Sequence, residues 1–151
     1  MNAKTTKMFK QSKNLKILLE MFAFLAATPL LMRFYSLDQF LSLITPSPKR
    51  HCNSNSQSTS SRINQLGSFL LKRDCLFLKK TCLKRSLLLY YFLRKNGIEV
   101  QIHFGVKKCG SYLAGHSWLT LKGNLFMDKN RVAVAFTPII SYPKHIEPSS
   151  N

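Results

Sequence analysis

The stretch TCLKRSLLLYYFLRKNG, residues 81–97, puts a cysteine where an amphipathic helix begins. Thr81 can cap that start, and Gly97 falls just past the end. A helix start presents several unpaired backbone N–H groups and the positive end of the helix dipole. Both favour a thiolate over a thiol, and the same N–H groups can hold the oxyanion of an acyl-transfer intermediate. Cys82 therefore stands where a nucleophile belongs, with Lys84 and Arg85 adding positive charge nearby.

Such a nucleophile needs a base to take its proton and later return it to the leaving amine. Of the four histidines, His51 lies in a Ser/Asn-rich stretch, His145 in a proline-containing tail and His103 on the polar face of a strand. His116 opens a strand directly after Gly115. Its face also carries Trp118, which can pack over the site and exclude water. The base in turn needs an orienting acid. Only Glu99, Asp128 and Glu147 follow the helix, and Asp128 closes a short strand. If Lys122, Gly123 and Asn124 form the loop, Leu121 pairs with Leu125, and His116 and Asp128 become diagonal neighbours on one face. A two-residue loop sends Asp128 to the opposite face. A triad of Cys82, His116 and Asp128 thus requires an odd loop or a bulge. Each member also has a plainer reading: a small core residue, a structural histidine, a turn aspartate. Their occurrence together, in helix, strand, strand order, is less easily assigned to those plainer readings.

Positioning these residues takes a helix followed by an antiparallel sheet, an α+β arrangement. Leu83, Leu87 and Tyr91, with Leu88 beside them, mark the buried face of the cysteine helix, while Lys84 and Lys95 face solvent. After Gly97 the apolar period changes to two: Ile98, Val100, Ile102, Phe104 and Val106 predict a half-buried strand. KKCGSYLAG is predicted as a loop, HSWLTL and LFMD as strands, and RVAVAF as strand-like. Upstream, Ile63, Leu66, Phe69 and Leu70 share a helical face in RINQLGSFLLK.

The remaining organisation is predicted as follows. Residues 1–44 comprise a basic segment and two apolar helices broken near Pro29. Residues 45–61 form a flexible Ser/Asn-rich linker, residues 62–145 a catalytic domain and residues 146–151 a tail. The longest uncharged run, Met21–Met32, has 12 residues against the about 20 that a membrane span needs. A signal peptide is the rival reading, opposed by Glu20 within the apolar run. The alternatives for the helices are packing on the domain or lying on a membrane face.

The 151-residue chain is 45% apolar, enough for a real core, and holds 23 basic against 6 acidic residues, a net charge of +17. That balance admits nucleic acid, an anionic membrane or an acidic peptide as partner. The basic residues are spread along the chain without a nucleic-acid motif, which disfavours nucleic acid. Cys52, Cys75, Cys82 and Cys109 follow no zinc spacing, and His51 with Cys52 makes a poor site, so neither metal nor other cofactor is expected. Free thiols in a reducing compartment, the cytoplasm, are a simpler reading than a disulfide framework.

The segments CLKRSLLLYYFLRKNGIEVQIHFGV and AGHSWLTLKGNLFMD resemble the transglutaminase-like cysteine proteases of lasso-peptide biosynthesis, in their stand-alone leader-peptidase form. That family's Cys-Leu-x-Arg-[Ser/Ala] helix start falls on Cys82, Leu83, Arg85 and Ser86. Its later positions fall on Arg94, Gly97, Gly105, Val106, His116, Trp118 and Asp128. Ser117 stands where the family usually has alanine. The resemblance is specific over residues 62–128 and looser over 15–44. It implies a papain-like core with Cys82, His116 and Asp128 as catalytic residues, and Trp118 and Arg85 as candidate substrate contacts. The implied reaction removes the leader from a ribosomally made precursor peptide. The implied partners are that precursor, a separate leader-recognition protein and a macrocyclising enzyme. The alternatives are a basic binding module, or a copy of the fold that has lost activity.

Overall fold

The computed structural model describes residues 12–46, 56–72, 82–127 and 132–144. These form four α-helices followed by an antiparallel four-stranded sheet, the α+β class that the periodicities predict.

Helix α1 spans Ser12–Phe34 and runs through Pro29 without the predicted break. Proline there leaves the carbonyl of Leu25 without its helical N–H partner. The stripe of Leu18, Met21, Leu25 and Thr28, all buried, holds the helix continuous. The chain breaks instead at Ser36, which opens α2 (Leu37–Ile44) through a capping box: its hydroxyl accepts from Gln39 N–H, and the Gln39 side chain accepts from Ser36 N–H. Because α1 is continuous, the uncharged run understates it. Asn14–Phe34, 21 residues, is long and apolar enough by length and composition to cross a membrane. In this fold its Glu20 carboxylate accepts a hydrogen bond from Lys95 Nζ at 2.8 Å, and one of its faces enters the core.

Helix α3 spans Ser56–Lys72, so it begins inside the stretch predicted as linker. Serine is only a weak helix former, and here burial of Ser60 overrides propensity; its hydroxyl donates within the helix to the Gln57 carbonyl at 3.0 Å. Arg62 donates from Nε to Asn14 Oδ1 of α1 at 2.7 Å. His51 and Cys52, like Cys75 and Thr81, lie outside the described residues.

Helix α4 spans Cys82–Lys95 and is covered on two sides, by the other helices and by the sheet. Its buried surface is therefore wider than a single stripe. Leu87 and Leu88 are fully buried as predicted, while Tyr90 takes the central place expected of Tyr91. Tyr91 stacks on Phe24 of α1 with ring centroids 4.9 Å apart. The helix ends in a Schellman arrangement. Gly97, at φ 78°, donates to Arg94 O, and Ile98 donates to Leu93 O, each at 3.0 Å.

The sheet order is β3-β2-β1-β4. Strands β1 (Val100–Cys109) and β2 (Tyr112–Leu121) form one long hairpin. The loop predicted over 107–115 is instead a two-residue turn at Gly110 and Ser111, closed by the pair Cys109↔Tyr112. Strand β3 is Asn124–Phe126. The segment predicted as strand-like over 131–136 holds a 3-10 turn, Val132–Ala135. The fourth strand, β4 (Thr137–Tyr142), follows it and pairs with β1. Pro138 argues against a strand in sequence, but an edge strand tolerates it, and β4 is an edge. One hydrophobic cluster joins the four helices to β1 and β2, so the N-terminal helices and the sheet share a core.

Candidate active site

Cys82 is the first residue of α4 and is exposed. It lines an open cleft together with Arg85, His116, Trp118, Phe126 and Met127. Four of the residues singled out in sequence, Cys82, His116, Trp118 and Arg85, thus meet at one place.

The helix and the strand are fixed to each other beneath this cleft. Ser86, one turn after Cys82, donates from Oγ to the carbonyl of Ser117, the neighbour of His116, at 2.9 Å in a buried contact. Arg85 donates to Asn64 Oδ1 of α3 at 3.3 Å and to the Met127 carbonyl at 3.2 Å. Its guanidinium therefore braces α4 against α3 and the end of β3. A second hydroxyl, Ser117 Oγ, is buried without a hydrogen-bond partner among the described residues.

His116 stands in a row of rings. Its imidazole lies 5.0 Å from the Phe136 ring and 6.2 Å from Trp118, near-parallel to the latter at 17°. Trp118 in turn stacks on His103 at 5.5 Å. Its indole fits because its diagonal neighbour on β1, the partner of His116, is Gly105: a Cβ there would lie 2.7 Å from Trp118 and 2.5 Å from the Thr137 carbonyl. His103 is clamped at both nitrogens, Nδ1 2.7 Å from Ser141 Oγ and Nε2 2.8 Å from Thr120 Oγ1. Burial holds its pKa below the ordinary histidine value. Sequence placed His103 on a polar strand face. Its clamp could not be read there, because Ser141 belongs to the unpredicted strand β4.

The predicted loop register is corrected. Leu121 pairs with Asn124 and Leu119 with Phe126, so Lys122 and Gly123 alone make the turn. Both have positive φ, 49° and 78°, the type I′ hairpin geometry. Met127 then takes φ 60°, which ends the extended strand, so the alternation rule does not carry past it. Asp128 follows Met127 in the chain and lies outside the described residues. Glu99 is excluded as the orienting acid. It precedes the pair Val100↔Leu121, five positions along the ladder from Gly105↔His116, or about 17 Å at the usual strand rise.

The cleft brings together a cysteine at a helix start and a strand histidine, the two kinds of group that cysteine-based acyl chemistry uses. The family model of the transglutaminase-like superfamily matches residues 24–141, and the chain belongs to that superfamily, which includes cysteine peptidases and transglutaminases. No curated protein and no solved structure matches the chain.

Proposed function

We propose that the protein is a cytoplasmic cysteine peptidase that removes the leader from a ribosomally made precursor during lasso-peptide maturation. The observation that carries this reading is the shared cleft of exposed Cys82 and His116, within a transglutaminase-like fold.

In this reading His116 takes the thiol proton, and the Cys82 sulfur attacks the carbonyl at the leader–core junction. Backbone N–H groups at the start of α4 face the developing oxyanion. The C–N bond then breaks, and the His116 imidazolium gives its proton to the amine of the core peptide. The leader remains as a thioester on Cys82. A water deprotonated by His116 hydrolyses it, releasing the leader carboxylate and restoring the thiol. Asp128 orients His116 and stabilises the imidazolium. Trp118 shields the imidazole from water. Arg85 braces the walls of the cleft, and its substrate contact is secondary to that role. A separate recognition protein presents the leader, and the freed amine passes to a macrocyclising partner.

Incubation with a precursor and its recognition protein, read by mass spectrometry, tests this. Two fragments, differing from the precursor by one water in total, are the expected products. An intact precursor refutes the peptidase. A leader joined to an added amine, with no hydrolysed leader, assigns the same site to transfer.

A further inference from the structure

The outward face of α1 is apolar along its length. Leu15, Leu19, Phe22, Ala26 and Leu30 recur at three- and four-residue spacing, away from the buried stripe of Leu18, Met21, Leu25 and Thr28. Leu15, Leu19 and Leu30 keep 59%, 69% and 60% of their surface exposed. Phe34, the last residue of the helix, and Tyr35 just beyond it extend the patch. One core accounts for one stripe of a helix, and a second contiguous stripe marks a surface built to be covered.

Charge selects the covering surface. The one acid on α1, Glu20, is paired with Lys95, so it contributes little negative charge. Lys16 and Arg33 lie near the two ends of the stripe, Lys4, Lys7 and Lys10 precede it in the chain, and the protein carries +17. Two copies brought together on this face would repel. We infer that the outward face of α1 lies on an anionic lipid bilayer. Its leucines and Phe22 enter the boundary between headgroups and acyl chains, and the basic residues sit on lipid phosphates. The helix lies in the plane of the membrane and does not span it, because Met21 and Leu25 are fully buried in the core. The cleft would then work at the membrane surface.

The test is sedimentation of the full chain with vesicles of phosphatidylcholine alone, or mixed with phosphatidylglycerol. The wild type is expected to sediment with the anionic vesicles and to stay in solution with the zwitterionic ones. Leu19→Glu with Leu30→Glu, both at exposed positions, should lower the bound fraction about tenfold or more while thermal unfolding stays unchanged. Lys16→Gln with Arg33→Gln should release the protein at lower salt. Failure to sediment with anionic vesicles overturns the inference. So does binding that survives the glutamate pair, which would make charge alone responsible. A lipid-free dimer broken by the same pair would assign the stripe to a second copy, and resistance to a carbonate wash would make the helix a span. None of these readouts depends on peptidase activity.

Discussion

Ser86 on the cysteine helix donates a 2.9 Å hydrogen bond to the carbonyl of Ser117, the residue after His116. One buried contact thus sets the spacing between the two elements that carry the proposed nucleophile and base. The hydroxyl is one helical turn from Cys82, and its acceptor is the carbonyl of the residue after His116, so a shift at this contact moves one element against the other.

Ser86→Ala removes that donor. The expected cost is about 1 kcal/mol of unfolding free energy, the usual net worth of a buried hydrogen bond, measured by urea denaturation. Turnover should fall more than substrate affinity, because the variant loosens geometry and leaves the walls of the cleft in place.

Gly105→Ala adds a methyl group 2.5 Å from the Thr137 carbonyl and 2.7 Å from Trp118. Neither the backbone oxygen on β4 nor a ring stacked between two histidines can retreat freely. The variant should lose about 1–3 kcal/mol. Trp118 is the only tryptophan, so its fluorescence reports the displaced ring directly.

Burial lowers the pKa of His103, so the folded chain binds fewer protons than the unfolded chain in mild acid. The stability this contributes is present above the unfolded histidine value of about 6.5, and it is lost as pH falls from there toward the lowered folded value. His103→Gln removes the titration. Its melting temperature should be lower than wild type near neutral pH and should change less than wild type's on going to about pH 5.

The helix–sheet order, the cysteine at the helix start and the Gly97 stop were legible because local rules govern them: capping, a 3.6-residue period, then a two-residue period. Three features were not. Pro29 reads as a break, yet burial of Met21 and Leu25 carries α1 through it. The Ser36–Gln39 capping box, two residues three apart in sequence, marks the true break. Strand β4 depends on pairing with β1, more than thirty residues away, and Pro138 masks it. The turn after β2 was misread by one residue, because Lys122 takes a positive φ that usually belongs to glycine or asparagine. That single residue decides which face the following strand presents, and so the register argument for Asp128 does not stand on the loop.

Asp128→Asn should preserve the fold and substrate affinity while lowering turnover strongly, since an amide presents the wrong hydrogen-bonding pattern to the imidazole. His116→Ala should be at least as damaging, because the proton transfer itself is lost. The double variant should be no worse than His116→Ala, as expected of residues that act as one unit. Near-normal turnover in Asp128→Asn would leave a dyad of Cys82 and His116.

The most direct measurement is precursor cleavage by the four single Cys→Ala variants, each checked for an unchanged melting temperature. Cys82 is exposed, so its replacement should leave the fold intact. Cys82→Ala should show no cleavage, and the variants at Cys52, Cys75 and Cys109 should cleave at close to the wild-type rate. Cleavage retained in Cys82→Ala, or lost in Cys75→Ala alone, would contradict the assignment of the nucleophile to the start of α4.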